Sequence, residues 1–266
     1  MSTLKVLTYN IAHGRGLSLN QALLSKSALL KNLNFIAEII KQENPDVVGL
    51  QEIDSPSIWS RNLDQVKILA GLIDFPFYFS ANHSNLNIGD YRINYGTALL
   101  SKFNFSSTHS LPFVLNKLDT KGLVTAKIRI PAFNNNEVYF ASLHLDFLRK
   151  KIRREQITSA IKFLTKVNHP LIVFGDFNCE WGPDKNCLQI FKEELDLEVY
   201  KPEEYLPTYP STKPKKRFDW IIFSKVFKVI DYRTINVTAS DHLPIVAKIT
   251  YKPEDIKNFT SLADAK

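Results

Sequence analysis

The feature that most constrains the fold is the alternation of short apolar segments with longer amphipathic ones. Residues 5–11, KVLTYNI, have the composition of a β-strand. In residues 27–42, apolar side chains recur at the spacing of one helical face. Pro45 follows, and residues 46–53, DVVGLQEI, predict the next buried strand. This order of strand, helix and strand predicts a βαβ-like unit.

The same two patterns recur along the rest of the chain. Further strands are predicted at 95–101, 123–130, 137–145, 170–175, 218–224 and 242–250, and helices at 60–73 and 148–167. Two polar segments predict surface loops, an irregular one at 80–94 and a Pro- and Lys-rich one at 201–217. Because strands outnumber helices in a mixed order, we predict α/β layers with two sheets and not a single doubly wound sheet.

The composition predicts one globular domain. The chain has 266 residues, of which 44% are hydrophobic and 23% charged, and no segment has the character of a linker. We therefore expect a single domain over residues 1–252 and a C-terminal tail at 253–266.

The N-terminus and the cysteines bear on the compartment. The opening MSTLKVLTYNIAHG lacks the features of a signal peptide, and no apolar run reaches the ~18 residues of a transmembrane helix. The two cysteines, Cys179 and Cys187, are too few for a disulfide framework. These features predict no transmembrane segment and a cytoplasmic, reducing location.

The net charge of +7 favours an anionic partner: nucleic acid, an anionic membrane surface or a phosphorylated small molecule. Two basic runs, RKKIRR at 149–154 and KPKKR at 213–217, support a nuclease, although such runs more often form solvated surfaces. The aromatic residues within 75–79 fit either peripheral contact with a membrane or a place in the core.

Polar side chains stand at the ends of several apolar segments. They are Asn10, Gln51 and Glu52, His144 and Asp146, Asp176 and Asn178, Asp219, and Asp241 and His242. Taken singly, each has an ordinary structural explanation, such as a turn cap, an ion pair or a hydrogen-bonded core histidine.

A shared pocket explains the whole set better than separate structural roles. Its carboxylates would be Glu52, Asp176, Asp219 and Asp241. Clustered carboxylates repel one another unless a cation lies among them. Oxygen ligands without thiolates suit Mg²⁺ or Mn²⁺, and such an ion beside two histidines suits attack of water on phosphorus. The chain has no P-loop and no GxSxG motif that would indicate another chemistry.

The motifs that carry this polar set resemble those of the endonuclease/exonuclease/phosphatase superfamily. In chain order they are LTYNIAHGRG, PDVVGLQEID, YGTALLSK, ASLHLDF, FGDFNCE, RFDWIIFS and SDHLPIVA, and the resemblance covers about residues 4–250. The superfamily includes pancreatic-type deoxyribonuclease, abasic-site endonucleases, neutral sphingomyelinases and inositol polyphosphate 5-phosphatases. The YNIAHGRG opening is most similar to small bacterial metal-dependent hydrolases.

The resemblance implies a fold and a role for each residue. The fold is a four-layer α/β sandwich of two mixed β-sheets packed face to face with helices outside. Asn10, Glu52 and Asp241 would hold Mg²⁺ or Mn²⁺. Asp176 and Asn178 would orient the attacking water, His144 would donate to a phosphate oxygen, and His242, oriented by Asp219, would transfer a proton. The implied activity is hydrolysis of a phosphodiester, with nuclease activity or an inactive binding module as alternatives.

The sequence departs from its relatives at several points. Loop 80–94 matches no DNA-reading loop, and no long hydrophobic hairpin of the sphingomyelinase kind is present. Thr97 stands where small-hydrolase relatives often carry Asn, and Tyr95 and Thr97 are candidate substrate contacts. His13 and Arg15 could reach the substrate phosphate, or could belong to a tight loop formed by Gly14 and Gly16.

Overall fold

Two six-stranded mixed sheets form the centre of the molecule. The structure is a computed structural model that describes residues 2–88, 91–113, 121–182, 186–201 and 203–251, so the expected tail at 253–266 lies outside it. The first sheet consists, in spatial order, of β11 (Phe227–Thr234), β12 (Ile245–Tyr251), β1 (Thr3–Asn10), β2 (Val47–Asp54), β4 (Tyr91–Ser101) and β3 (Phe77–Ile88). The second consists of β5 (Phe105–Phe113), β6 (Lys121–Ile130), β7 (Asn136–His144), β8 (Leu171–Asp176), β10 (Asp219–Ser224) and β9 (Leu197–Val199).

Helices cover the outer face of each sheet. They are α1 (Lys26–Glu43), α2 (Gln65–Leu72), α3 (Lys150–Leu164) and α4 (Cys187–Glu194). The apolar faces of α1 and α2 share one core with the first sheet, and those of α3 and α4 share another with the second. Ser25 caps the start of α1, and Asn44 in the left-handed conformation ends it. The predicted four-layer sandwich is confirmed.

A third core lies between the two sheets. Leu4 and Val6 of β1 point into it, whereas Leu7 and Tyr9 point to α1, as the two-residue period of a strand requires. A Cβ on Gly49 of β2 would lie 1.9 Å from the ring of Phe174 in the opposite sheet. A glycine is therefore required where the sheets approach most closely.

The strand directions bring many chain segments to one edge. β1 and β2 are parallel, which confirms the predicted βαβ-like unit, and β7 and β8 are also parallel. β10 is antiparallel to β8, and β12 is antiparallel to β1, so their first residues lie beside the last residues of those neighbours. Four strands (β1, β2, β7 and β8) therefore end, and two strands (β10 and β12) begin, along the same side of the sandwich.

The predicted irregular loop at 80–94 is wrong. Most of this segment belongs to a hairpin of β3 and β4, in which Ser84 pairs with Tyr95 and Leu86 with Ile93. Strand pairing uses backbone hydrogen bonds, so polar side chains at exposed positions do not prevent it. The polar composition of the segment therefore does not indicate an irregular backbone.

Other predicted elements are shifted or were missed. The helix predicted at 60–73 begins only at Gln65, because Asp64 caps it and a 3₁₀ turn occupies Ile58–Ser60. The sequence analysis did not identify β5, β9, β11 or α4. Among the described residues, every helix falls short of the length or apolar character that a membrane crossing requires.

The aromatic residues within 75–79 belong mainly to the core. Phe75 is buried against α1 and α2, and Phe79 packs on the core between the sheets. Tyr78 is exposed. The core interpretation is therefore the better one for most of this group.

His83 is a buried histidine near the edge where the strands meet. Its Nε2 lies 2.8 Å from the hydroxyl of Thr97, and its ring fills the space that Gly122 leaves open. Burial, assisted by the nearby charge of Lys121, lowers the pKa of His83 to about 3. The folded protein therefore keeps this ring neutral at pH values where the unfolded chain protonates it.

We expect this histidine to contribute to acid sensitivity. Because the pKa is lower in the folded state, the stability it supports is complete above pH 6.5 and falls as the pH drops toward the folded value. The wild type should lose about 2 kcal/mol more than His83→Asn between pH 7 and pH 5. Urea unfolding of both proteins at the two pH values, with a chelator present, measures the difference. Equal losses would contradict this assignment.

Candidate active site

The polar residues predicted at strand ends do meet at one edge of the sandwich. His144 ends β7 and pairs in register with Asp176 at the end of β8, which in turn pairs with Asp219 at the start of β10. Asn10 ends β1 in the other sheet, and its Nδ2 donates to Asp176 Oδ2 at 3.0 Å. This hydrogen bond joins the two sheets at the site. Convergence of the strand ends is thus observed.

A hydrogen-bonded pair of His242 and Asp219 lies at the centre. Nδ1 of His242 lies 2.8 Å from Asp219 Oδ2, and its Nε2 lies 3.7 Å from Asp176 Oδ2. All three side chains are buried. Burial alone would lower the pKa of His242, but the facing carboxylates of Asp219 and Asp176 raise it well above its usual value. The imidazole is therefore held in place and in its protonated form.

Asp176 is a carboxylate whose pKa is raised above its usual value. Burial, together with the neighbouring negative charge of Asp219, raises its pKa. The positive charge of His242 opposes this shift, as do hydrogen bonds from Asn10 and from the backbone N–H of Asn178, the latter at 2.9 Å. A carboxylate with a raised pKa is a better acceptor for a proton from water.

Asn178 and His144 form the adjacent wall. Asn178 donates through Nδ2 to the carbonyl of Leu145 at 2.9 Å, and the same atom lies 3.3 Å from His144 Nε2. Burial and the charge of Lys121 lower the pKa of His144, which keeps the ring neutral. Asn178 has a positive φ of 48°, a conformation that asparagine tolerates better than most residues.

A β-bulge turns Glu52 toward the site. The register of β2 with β4 shifts between Gln51 and Ile53, and Glu52 has a φ of 49°. Gln51 points between the sheets and binds Thr8 and Ser142, so Glu52 rather than Gln51 faces the site. Its Oε1 lies 3.8 Å from His144 Nε2. Despite burial, the charges of His13 and Lys121 lower the pKa of Glu52, which keeps it ionised.

A second histidine–carboxylate pair supports Glu52. His13 Nδ1 lies 2.7 Å from Asp54 Oδ1, and His13 Nε2 lies 3.4 Å from Glu52 Oε2. Trp59 donates to the other oxygen of Asp54 at 2.8 Å. The rings of Trp59 and Tyr95 each lie 5.0 Å from the His13 ring, which places Tyr95 beside this pair.

Arg15 and Asp241 bind each other. Arg15 Nη2 donates to Asp241 Oδ2 at 2.5 Å, and its Nη1 donates to the carbonyl of Ser18. The Asp241 side chain is 27% exposed and lies at the mouth of the site. Ser240, directly before it, donates to the carbonyl of Asn10, which fixes the segment leading to His242.

Comparison with known proteins identifies the family. The sequence pattern of the Endonuclease/Exonuclease/phosphatase family matches residues 7–242, which is most of the chain. The chain belongs to this family. Its members are hydrolases that act on phosphoesters and are generally dependent on divalent metals. No curated protein sequence matches the chain closely enough to add to this.

Solved structures of the family show the same fold. An endonuclease/exonuclease/phosphatase from Bacteroides vulgatus is 15% identical, with a TM-score of 0.75 over 95% of this chain and 100% of that one. A mannosyl-6-phosphatase from Bacteroides thetaiotaomicron is 18% identical, with a TM-score of 0.72 over 93% and 100%. The human Nocturnin catalytic domain is 20% identical, with a TM-score of 0.69 over 94% and 95%.

The donor atoms of the site suit the divalent cation on which the family depends. Asp176, Asp219 and His242 each offer one ligand atom, and these atoms lie within 4.8 Å of one another. Asp219 Oδ1 and Asn178 Oδ1 are buried and, within the described part of the chain, have no hydrogen-bond partner. Buried oxygens without partners are costly and favour a bound cation or a substrate donor.

The sequence analysis missed three residues beside the site: Asp54, Trp59 and Lys121. Asp54 is the last residue of the QEID motif, two positions after Glu52. Like the residues that were predicted, it is a polar side chain at the end of an apolar segment, but it was not included. Lys121 begins β6, where no spacing rule marks it, yet its charge acts on Glu52, His83 and His144. Such a contact depends on which strands become neighbours and cannot be seen in one segment.

Proposed function

We propose that this protein is a divalent-metal-dependent phosphoesterase that hydrolyses a phosphodiester by attack of water on phosphorus. The observation that supports it most is the buried cluster of Asp176, Asp219 and His242 beside Glu52. It combines a carboxylate of raised pKa, a protonated imidazole of raised pKa and unpartnered buried oxygens in one place. Groups whose environments move their pKa values in useful directions mark acid and base roles.

The roles of the side chains follow from these contacts. We assign Asp176 and Asn178 to orienting the attacking water, with Asp176 accepting its proton. His242, held by Asp219, donates a proton to the leaving oxygen, so that the new P–O bond to water replaces the P–O bond to the leaving group. His144 donates to a phosphate oxygen as negative charge develops there.

Glu52, with Asn10 and Asp241, would hold Mg²⁺ or Mn²⁺. Glu52 and Asp241 have side chains that are 22% and 27% exposed at the mouth of the site, whereas His242 and Asp219 are buried and hydrogen-bonded to each other. When bound, such a cation stabilises charge on the phosphate oxygens as a Lewis acid. Arg15 already donates to the Asp241 carboxylate. A cation bound there would therefore either share this carboxylate with Arg15 or displace the hydrogen bond.

Cationic and aromatic groups around the opening would receive an anionic phosphoester. Asp54 and Asp241 fix the orientation of His13 and Arg15, and we propose that the remaining N–H groups of the two side chains contact the substrate phosphate. Tyr95 would border the same position, with Lys121 lying 5.6 Å from its ring centroid.

The activity is tested with an activated ester. Purified protein should hydrolyse bis-p-nitrophenyl phosphate in the presence of Mg²⁺ or Mn²⁺, and excess chelator should remove that activity because the phosphate charge is then uncompensated. Release of p-nitrophenolate measures the rate. Inactivity with both metals across a panel of phosphomonoesters and phosphodiesters would instead favour a binding module that keeps the fold.

A further inference from the structure

A cavity of about 530 Å³ opens next to the candidate active site. Asn178 belongs to its wall, and Phe218, also in the wall, directly precedes Asp219. The ring of Tyr209 stacks on Phe218 and lies 4.9 Å from the His242 ring. The volume lies within the range of small-molecule sites. A group bound here would therefore be joined to a phosphate at the active site over a short distance.

Two basic runs, distant in sequence, meet at this cavity. Lys150 and Arg154 come from RKKIRR and stand one turn apart on α3, so they share a helix face. Lys216 comes from KPKKR and lies in the wall formed by the 201–217 loop. Within the described part of the chain, none of these three cations forms an ion pair with a carboxylate. Their charge is thus available to an anion.

Aromatic and apolar side chains form another part of the wall. Phe147 and Leu148 are 53% and 79% exposed, although both are large and apolar. Phe147 meets Phe218 edge to face at 6.4 Å, and Trp181 stands in the same wall. Exposed apolar groups gathered beside a site are typical of a ligand-binding surface. Planar rings of a ligand stack well on such side chains.

We infer that this cavity binds the leaving group of the substrate, and that this group is a nucleotide with a phosphate of its own besides the scissile one. The inference rests on the proposed function, since it treats the active-site end as the place of P–O cleavage. Stacking on Phe147 or Trp181 suits a base, and Lys150, Arg154 and Lys216 suit the second phosphate. The nucleotide leaves with the proton from His242 on its freed oxygen.

Other leaving groups fit this wall less well. A sugar needs hydrogen-bonding partners for its hydroxyl groups. In the described wall Glu180 is the one carboxylate, and the side chain of Asn186 is already used to cap α4. A choline headgroup is cationic, and three cations that form no ion pair with any described carboxylate would repel it. A base with a phosphate uses both the aromatic and the basic parts of the wall.

Calorimetric binding of adenosine 3′,5′-bisphosphate tests the inference without relying on turnover. We expect it to bind at least about tenfold more tightly than phosphocholine or mannose 6-phosphate, because only it offers an aromatic base and a second phosphate. Phe147→Ala and Arg154→Ala should each weaken it about fivefold to a hundredfold. Lys151→Ala, an exposed lysine outside the wall, is the matched control and should leave affinity unchanged.

Two further measurements separate the possible outcomes. Hydrolysis of bis-p-nitrophenyl phosphate by the wild type and by Lys151→Ala, whose residue lies outside the wall, tests the proposed function separately, so its absence in both would count against the proposed function alone. A single-stranded oligonucleotide that binds in a salt-dependent way and loses affinity in the same two variants would show the nucleotide to be part of a nucleic acid. Equal affinity for all small ligands, or variants that bind like wild type, would overturn the inference.

Discussion

His242→Ala should lower the turnover of bis-p-nitrophenyl phosphate by about 10²- to 10⁴-fold while the protein stays folded. The imidazole lies 2.8 Å from Asp219 and 3.7 Å from Asp176, and these carboxylates keep it protonated. Alanine removes the proton donor and also leaves Asp219 buried without its partner. Since p-nitrophenolate departs without a proton, the rate with this substrate falls because a cationic hydrogen-bond donor beside the phosphate, which stabilises the charge that develops in the transition state, is lost.

His169→Ala is the control for this variant. His169 lies 3.3 Å from Glu137, away from the candidate site, so its loss removes a histidine without touching the proposed chemistry. Circular dichroism and thermal unfolding of both variants show whether the fold is kept. A folded His242→Ala protein with a near-normal rate would refute the assignment of this residue.

Glu52→Gln should also reduce turnover by orders of magnitude, for a different reason. The substitution keeps the shape of the side chain but removes the negative charge that we propose holds the cation. Calorimetric titration with Mn²⁺ should show weaker binding, which is a readout independent of the reaction. The backbone bulge at this position should persist, because the change affects only the end of the side chain.

Glu38→Gln is the matched control for Glu52→Gln, since Glu38 is an exposed glutamate on α1 far from the strand ends. It should bind Mn²⁺ and turn over substrate as the wild type does. If Glu52→Gln retained both wild-type metal affinity and a near-normal rate, the proposed metal site would have to move to the cluster of Asp176, Asp219 and His242.

Much of the fold followed from the sequence because strand periodicity and helical faces are local properties. The strand ending at Asn10, the helix after it and the strand leading to Glu52 were predicted as one βαβ-like unit and are observed so. The contact between Asp219 and His242 was also expected from the family resemblance and is observed. The catalytic role of His242 stays a proposal, which His242→Ala tests.

What the sequence did not reveal depends on partners distant along the chain. The 80–94 segment is a hairpin because each strand supplies hydrogen bonds to the other, which its polar composition hides. Arg15 meets Asp241 across 226 positions, and Lys121 reaches the site only because β6 pairs with β7. The bulge at Glu52 likewise depends on the register with β4. Pairing between distant segments decides such features, and no single motif contains them.

The position of β12 has a consequence for how the protein is made. β12 is the last described strand, and it returns from the far end of the chain to pair with β1, directly after the segment that carries Asp241 and His242. Until β12 has been synthesised, the segment with Asp241 and His242 has no following strand to hold it beside β1. Assembly of the candidate site therefore requires that β12 has been made and has paired with β1.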